Sequence, residues 1–341
     1  VSVNALFFPL MILLIGLSTL FTIYIGGLEA IEGHIQVGDI ATFIIYVNML
    51  TWPVASIGWV TSIAQRSAAS QTRINEFLNE KPEIENTKNK ACKIEGNIVF
   101  DKVSYTYPDT GIKALSNISF TLKEGETLGI IGSIGSGKST LADIICRIID
   151  PDSGTISIGE QNIKDINLNN LRNSIGYVPQ EAFLFSDSIY NNIAFGKVKC
   201  TNNEVINAAE NALILDNILK FKDQFKTVIG ERGITLSGGQ KQRISIARGF
   251  IRNPKILLLD DCLSAVDSET ENSILDNIKN RFQDKSCIII SHRASTIKHA
   301  DQIIVLQNGE IIEQGNHDSL MKLNGEYSLI YQKQYSKSIY R

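Results

Sequence analysis

Two long uncharged stretches stand out in the first part of this 341-residue chain. No charged side chain occurs from Val1 to Leu28, and none occurs from Ile40 to Gln65. A helix needs about 20 apolar residues to cross the hydrocarbon core of a bilayer, and both stretches exceed that length. The helices of a soluble core seldom stay uncharged for so long. The pattern predicts two membrane-spanning helices, over about 3–28 and 40–65, as part of an all-α membrane domain.

The charged residues that flank these stretches predict their orientation. The segment between them carries acidic residues and a histidine but no lysine or arginine: Glu29, Glu32, His34 and Asp39. Basic residues follow the second stretch: Arg66, Arg73 and Lys81. Lys and Arg accumulate on the cytosolic side of membrane proteins, so the short segment is predicted outside and the rest of the chain in the cytosol. The second helix is predicted to continue into the cytosol as far as residue 80.

After a polar linker at 81–93, the pattern changes to short apolar runs that alternate with segments of helical spacing. The runs predict strands at 98–103, 118–122, 127–131, 155–158, 256–259, 287–290 and 303–306. Helical spacing occurs at 141–149, 204–213 and 269–282. Together they predict one α/β domain over 94–341, with an antiparallel β subdomain and a helical subdomain. This length suffices for one substantial core.

Composition narrows the function classes slightly. A net charge of −3 offers no broad basic surface, so no nucleic-acid partner is expected. The five cysteines, at positions 92, 146, 200, 262 and 287, have neither the spacing of a zinc site nor that of a redox motif. Reduced thiols in a cytosolic domain are therefore predicted.

A glycine-rich loop joins the predicted strand at 127–131 to the helix that follows it. From Gly132 to Thr140 the sequence reads Gly-Ser-Ile-Gly-Ser-Gly-Lys-Ser-Thr. Glycines allow backbone N–H groups to point inward around a phosphate, and Lys138 brings a positive charge to the β- and γ-phosphates of a nucleotide. The Ser139 hydroxyl can bind Mg²⁺, and the helix start adds a positive dipole end. The candidate contacts are Gly132, Ser133, Gly135, Ser136, Gly137, Lys138, Ser139 and Thr140. A turn that merely joins strand to helix is the alternative.

A second candidate is the carboxylate of Asp260, which follows the apolar run at 256–259. A continuous apolar run is typical of a parallel strand buried on both faces, and the carboxyl ends of such strands form the ligand-binding edge of a sheet. Asp260 is therefore a candidate Mg²⁺ residue, together with Ser139. Many buried strands end in aspartate, so this interpretation depends on the glycine-rich loop upstream.

The segment 227–248 carries a third pattern, Leu-Ser-Gly-Gly-Gln at 236–240. It resembles the signature region of ATP-binding cassette (ABC) proteins, which ordinary P-loop enzymes lack. The resemblance implies the ABC cassette fold of P-loop NTPases, with ATP and Mg²⁺ as cofactors. It also implies that a helix start caps the γ-phosphate of ATP held by a partner subunit, so that two cassettes close head to tail. The residues concerned are Ser237, Gly238, Gly239 and Gln240.

Other positions match the pattern of this family one by one. Tyr107 stands where the family stacks an aromatic ring on adenine. Gln180 matches the glutamine that senses Mg²⁺ and contacts the membrane domain. Glu231 and Arg232 resemble the exporter loop that touches the coupling helices of the membrane domain, and 264–267 resembles the loop that signals between two ATP sites.

One position departs from the family pattern. Asp261 follows Asp260, where the family normally has a glutamate that polarises the attacking water as a general base. A shorter carboxylate loses hydrogen-bond reach, which can cost orders of magnitude in rate. In similar exporters, an aspartate here with an intact signature occurs in the slow-site subunit of heterodimers, so a heterodimeric half-transporter is the main hypothesis. The alternative is a homodimer in which aspartate suffices, and His292, which matches the histidine that contacts the γ-phosphate, favours it.

Residues 33–40 and 70–78 resemble the last two of six membrane helices of type I ABC exporters. A complete half-transporter is far longer than this chain, so the C-terminal part of one is expected. The implied function is ATP-driven export by alternating access, as one half of a dimer in the lipid bilayer of the cell membrane, and the substrate stays open. An ATP-gated channel or regulatory membrane protein is the first alternative. A DNA-repair type ABC ATPase would place a long coiled coil before the signature, and no sustained heptad occurs there.

Overall fold

The computed structural model describes residues 2–86, 93–230, 235–281 and 284–339. The chain divides into two compact units, Val1–Pro82 and Glu83–Arg341. Residues 87–92 of the predicted linker lie outside the described residues, so the predicted domain limits stay a prediction. Each unit is described by itself below.

The first unit consists of two long helices, α1 (Ser2–Ile31) and α2 (Val37–Asn79). Both are long and apolar enough to cross a membrane, as the uncharged stretches predict. Their large apolar side chains are exposed; Ile12 is 70% exposed and Trp52 is 74% exposed. Apolar side chains exposed along a whole helix require lipid or further protein around them.

The turn between the two helices gathers three acidic residues: Glu29, Glu32 and Asp39. The Nδ1 atom of His34 lies 2.9 Å from Oε2 of Glu29 and 3.5 Å from Oε2 of Glu32. The Oδ2 atom of Asp39 accepts a hydrogen bond from the backbone N–H of Gln36 at 2.8 Å. A carboxylate in the first turn of a helix binds unsatisfied N–H groups and favours the helix dipole. These contacts stabilise the end of α1 and the start of α2.

The second unit contains both strands and helices. Its strands are β1 (Ile98–Thr106), β2 (Lys113–Leu122), β3 (Thr127–Gly132), β4 (Ser153–Ile158), β5 (Gln161–Asn162), β6 (Ile175–Val178), β7 (Ile256–Asp260), β8 (Ser286–Ile290), β9 (Gln302–Gln307) and β10 (Glu310–Gly315). Its helices are α3 (Lys138–Ile145), α4 (Leu168–Ser174), α5 (Ile189–Ala194), α6 (Asn202–Asn211), α7 (Leu215–Leu219), α8 (Gly238–Phe250), α9 (Ser268–Arg281), α10 (Ala294–Ile297), α11 (His317–Leu323) and α12 (Glu326–Ile339).

Six strands form a mainly parallel sheet in the order β10-β9-β3-β8-β7-β6. Strand β3 pairs in parallel with β8 and β9, and β7 pairs in parallel with β6 and β8. Strand β10 is antiparallel to β9 at one edge. The other four strands form the predicted antiparallel subdomain, in the order β2-β1-β4-β5. Helices α5, α6 and α8 pack on one another and form the core of the predicted helical subdomain.

The parallel sheet separates two hydrophobic cores. In β7, Leu257 and Leu259 belong to one core, and Leu258 belongs to the other. Successive side chains of a strand point to opposite faces, so a strand covered on both faces needs an uninterrupted apolar run. This is the physical reason why the apolar runs at 127–131 and 256–259 correctly predict buried strands.

Helix α3 is shorter than its spacing predicts. It begins at Lys138, where the helix after the glycine-rich loop is expected to start, and it ends at Ile145, before the predicted end at residue 149. Arg147 has a φ of +49°, and the N–H of Ile148 donates to the carbonyl of Asp143 at 2.8 Å. This is a Schellman-type helix end, whose left-handed position is usually glycine. Because arginine takes that position here, the sequence offers no signal for the end of the helix.

Strands β1 and β2 are longer than the predicted 98–103 and 118–122. Their register shifts between Phe100 and Val103 and again between Val103 and Tyr105. A bulge adds a residue to one strand and interrupts the alternation of apolar and polar side chains. The predicted ranges include the first register shift and stop at the pair Val103 and Ile118, just before the second shift.

The four cysteines that the structure describes are free thiols, and three of them are buried: Cys146, Cys262 and Cys287. Burial raises the pKa of Cys146 and that of Cys287 to about 12, and it also raises the pKa of Cys262. Cys200 is half-buried. Since the thiolate is the reactive form of cysteine, a raised pKa leaves the three buried thiols neutral and unreactive.

We expect iodoacetamide at about pH 8 to label Cys200 in the folded chain and to leave the three buried cysteines unmodified. The Cys92→Ser variant removes the cysteine that lies outside the described residues. Peptide mass spectrometry locates the label before and after unfolding in guanidinium chloride, and unfolding should make all four thiols reactive. Rapid labelling of Cys262 in the folded chain would contradict this packing.

Candidate nucleotide-binding site

Four strand ends meet at one edge of the parallel sheet. Strands β3, β6, β7 and β8 share one direction, so their carboxyl ends lie at the same edge. The glycine-rich loop follows β3, and Gln180, Asp260 and His292 lie at or just after the ends of β6, β7 and β8. The sheet therefore brings candidate residues together that are far apart in the sequence.

Two glycines of the loop after β3 have no room for a side chain. A Cβ on Gly132 would lie 2.1 Å from the carbonyl oxygen of Leu306, and one on Gly137 would lie 2.4 Å from that of Ala114. Gly137 has a φ of +98°, and Gly135, which is exposed, has a φ of +78°. Glycine adopts such backbone angles at no steric cost. Neighbouring backbone thus holds the loop in a narrow curve.

Lys138 is buried, and neutral oxygen atoms of the loop bind its ammonium group. Its Nζ donates to the carbonyl oxygens of Gly132 at 3.0 Å and Ser133 at 2.7 Å, and to the hydroxyl of Ser136 at 3.4 Å. Among the described residues, no carboxylate oxygen lies within 4.0 Å of this ammonium group. Burial lowers the pKa of Lys138, and more distant carboxylates oppose that shift. A buried cation without a close counter-ion fits an anionic ligand such as phosphate.

The helix start after the loop presents two hydroxyl groups. Ser139 is exposed, and its hydroxyl lies close to the Asp260 carboxyl. Thr140 is buried, and its Oγ1 lies 3.0 Å from the hydroxyl of Tyr107. That hydrogen bond holds the Tyr107 ring beside the loop, edge to face with the ring of Tyr105 at 5.1 Å. The tyrosine predicted to stack on adenine therefore lies next to the predicted phosphate loop.

Asp260 lies at the carboxyl end of β7 and is 3% exposed. Burial raises the pKa of its carboxyl group, the hydroxyl of Ser139 opposes the shift, and the charge of Asp261 adds to it. Burial and the charge of Asp260 also raise the pKa of Asp143 on α3. A bound cation would stabilise buried carboxylates that repel one another, and Mg²⁺ prefers oxygen ligands. The oxygen atoms of Asp260 and Ser139 therefore fit a magnesium ion.

Asp261 connects two other candidate residues. Its Oδ2 accepts a hydrogen bond from Nε2 of Gln180 at 3.3 Å, and its Oδ1 accepts one from the backbone N–H of His292 at 3.4 Å. The backbone of Asp261 has a φ of +45°, in the left-handed region that aspartate enters more readily than most residues. The hydroxyl of Ser264 donates to the carbonyl of Asp261 at 2.9 Å. The structure thus brings Gln180, Asp261 and His292 into one hydrogen-bonded group.

The Leu-Ser-Gly-Gly-Gln segment forms the start of α8. The hydroxyl of Ser237 accepts a hydrogen bond from the N–H of Gln240 at 3.3 Å, and Oε1 of Gln240 accepts one from the N–H of Ser237 at 2.9 Å. This reciprocal pair is a capping box. Ser237 and Gly238 are exposed. Among the described hydrogen bonds and ion pairs, none joins 237–240 to the loop at 132–140.

Of the two loops predicted to relay signals, the structure describes one. Glu231 and Arg232 lie outside the described residues. The segment 264–267 is described and is bound to α8, because Oε1 of Gln242 accepts a hydrogen bond from the N–H of Ala265 at 3.0 Å. Sequence reasoning missed Gln242, which is 7% exposed. The sequence pattern that could have revealed Gln242 is a polar side chain at a position of α8 that faces the core.

Comparison with known proteins decides the family. The sequence profile of the ABC transporter family matches residues 115–264, which include the glycine-rich loop, the signature segment and Asp260. The chain belongs to the ABC transporter family. A solved structure of a bacterial Atm1-family ABC exporter with ATP bound matches this ABC chain with a TM-score of 0.76 and 33% identity, over 95% of this chain and 56% of that one.

Curated relatives agree with this assignment. YheI of Bacillus subtilis, a probable multidrug resistance ABC transporter ATP-binding/permease protein, is 40% identical over 97% of this chain and 57% of its own length. The ATP-dependent lipid A-core flippase of Desulfotalea psychrophila is 40% identical over 96% of this chain and 57% of its own length. The chain thus spans just over half the length of these relatives. Its cassette is an ATP-binding domain in the cytosol, and its two apolar helices lie in the membrane.

The Gly137→Ala variant is expected to bind ATP at least about tenfold more weakly, which corresponds to about 1.4 kcal/mol. The added methyl group would meet the carbonyl of Ala114 and distort the loop. Gly111→Ala is the matched control, because Gly111 also has a positive φ but a Cβ there meets no atom within 4 Å. Binding of a fluorescent ATP analogue to both purified variants gives the comparison. Unchanged binding by Gly137→Ala would show that the crowding does not shape the site.

Proposed function

We propose that this chain is one half of a dimeric exporter that uses ATP to move a substrate out of the cytosol by alternating access. One observation carries the proposal: the phosphate loop and the exposed signature helix start are both present, yet no described hydrogen bond or ion pair joins them. A second cassette placed head to tail would bring each helix start to the loop of the other. The exporter relatives and the two apolar helices support the same function.

In this proposal, the residues at the sheet edge divide the binding of ATP and Mg²⁺ between them. The loop at 132–140 holds the phosphates, with Lys138 as their cation, and Tyr107 stacks on adenine. Ser139, Gln180 and Asp260 would hold Mg²⁺, which would supply positive charge against the phosphates when bound. The γ-phosphate also meets the signature of the partner: Ser237, Gly238, Gly239 and Gln240. Because both cassettes contribute to each site, ATP binding closes the dimer.

The proposed catalytic residues are Asp261, Gln180 and His292. The Asp261 carboxylate accepts hydrogen bonds from the Gln180 side chain and from the backbone N–H of His292. Asp261 would take the proton of the attacking water, and His292 would contact the γ-phosphate. The Asp261 carboxylate is one methylene shorter than the glutamate usual in the family, so it stays closer to its own backbone and further from the water. We therefore propose a slow site in this chain. The partner would be a different half-transporter, whose competent site this chain completes with its intact signature.

The Asp261→Glu variant is expected to raise ATP turnover at least about tenfold, because the added methylene restores the reach of the general base. Phosphate release is measured on the purified chain in detergent micelles, and ATP binding is measured separately. Adding Lys138→Ala to the same variant should abolish the gain. If wild type and Asp261→Glu turn over ATP equally fast, aspartate suffices and a homodimer becomes the better proposal.

The Gly238→Ala variant tests the role of the signature in a partner's site. A Cβ there would lie 3.6 Å from Cβ of Ala265, an ordinary contact, so folding and ATP binding by the chain's own loop should be unchanged. The methyl group would nevertheless stand on the exposed helix start, where a partner's phosphate is proposed to bind. The test uses two copies of this chain in the Cys92→Ser background, because each copy offers its signature to the loop of the other. Energy transfer between copies labelled at Cys200 should therefore no longer rise with ATP. Unaltered ATP-dependent transfer would count against assembly through the signature.

A further inference from the structure

The last helix of the chain contacts the backbone around His292. On α12, the Oε1 atom of Gln334 accepts a hydrogen bond from the N–H of Ala294 at 2.8 Å. The Nε2 atom of the same side chain donates to the carbonyl of His292 at 2.7 Å. One amide group thus binds the backbone on both sides of Arg293. Its short donor and acceptor distances are those of well-formed hydrogen bonds.

Helix α12 is anchored firmly enough to impose this contact. At its start, the Glu313 carboxylate accepts the N–H groups of Glu326 and Tyr327. Tyr327 is fully buried, and its hydroxyl lies 2.8 Å from Nδ1 of His317. Gln334 follows Tyr327 by two helical turns and therefore lies on the same helix face. The face that fixes the helix in the core also presents the amide of Gln334.

The same segment is bound from the opposite side. Arg293 donates to the carbonyl of Ser264 at 2.9 Å and to Oε2 of Glu271 at 2.9 Å. Glu271 is 4% exposed, and its other oxygen accepts a hydrogen bond from the hydroxyl of Thr296. These contacts hold the side chain of Arg293 and the start of α10. None of these contacts involves the carbonyl of His292. Among the described hydrogen bonds, that oxygen accepts one from Gln334.

We propose that Gln334 is a positioning residue for His292, so that α12 sets the place of the histidine in the ATP site. The inference rests on the proposed function, which gives His292 its contact with the γ-phosphate. A purely structural role is the competing explanation, because the Oε1 atom of Gln334 also caps the first N–H of α10. The two explanations differ in which half of the amide matters: the donor toward His292 or the acceptor toward Ala294.

The decisive variant is Gln334→Glu. A glutamate can still accept from Ala294, but it has no N–H to donate to the carbonyl of His292. In the Asp261→Glu background, we expect both Gln334→Glu and Gln334→Ala to lower kcat about fivefold, with KM for ATP changed less than about twofold. Gln332→Ala is the matched control, because Gln332 bonds only within α12, to Ser328, among its described contacts. It should leave both constants unchanged.

Two further measurements separate positioning from stability. Hydrogen exchange of the peptide that covers 287–297 should be faster in Gln334→Ala, and the amide of Ala294 should stay protected in Gln334→Glu. Combining Gln334→Glu with His292→Ala should add no further loss of kcat, because the two changes act through one residue. Full activity of Gln334→Glu, or a loss that adds to that of His292→Ala, would overturn the inference.

ATP turnover by the Asp261→Glu parent distinguishes failure of this inference from failure of the proposed function. If the Asp261→Glu parent binds ATP but shows no turnover, the proposed hydrolysis itself is wrong. Hydrogen exchange in Gln334→Glu then decides the contact without any activity, because this variant keeps the acceptor for Ala294 and loses only the donor toward His292. Faster exchange of the His292 and Arg293 amides, with Gln332→Ala as control, supports the positioning role, and unchanged exchange of these amides overturns it.

Discussion

The parallel pairing of β3, β8, β7 and β6 is the constraint on which the rest of the cassette depends. It places four carboxyl strand ends at one edge, and each end delivers part of the candidate ATP site. The glycine-rich loop is then confined by neighbouring backbone, because the carbonyls of Ala114 and Leu306 leave no space at Gly137 and Gly132. A loop confined in this way is preformed, so binding phosphate costs little ordering of the chain.

The sequence predicts an element well where burial or backbone crowding restricts which residues can occupy it. The run at 256–259 predicts β7 because a strand buried on both faces excludes polar side chains. The glycines at 132 and 137 lie where neighbouring backbone leaves no room for a side chain. The end of α3 escapes prediction because Arg147 adopts a left-handed angle without glycine. The contact of Gln334 with His292 spans 42 residues and has no periodic signal, so only the fold reveals it. The residue roles came from family resemblance, and they stay proposals.

Hydrogen bonds and neighbouring backbone link α8 to the segment 264–267 and to the segment around His292. Gln242 on α8 binds Ala265, and Ser264 next to it accepts a hydrogen bond from Arg293. Arg293 lies between the two backbone groups that Gln334 holds. The helix whose start would face a partner's ATP is therefore connected, residue by residue, to the histidine of the chain's own site. Such a connection offers one route by which two ATP sites would influence each other, and the coupling itself is measured as a free energy.

The left-handed backbone of Asp261 has a consequence for how this site can change over evolution. Aspartate tolerates a φ of +45° better than glutamate does, because its short side chain can bond locally and avoids crowding. In the proposed mechanism, lengthening the side chain would thus give catalytic reach and take away conformational stability at the same position. Catalytic reach favours glutamate and the backbone angle favours aspartate, although the two side chains differ by one methylene. A lineage that relies on a second, competent subunit is free to settle on the conformationally easier acid.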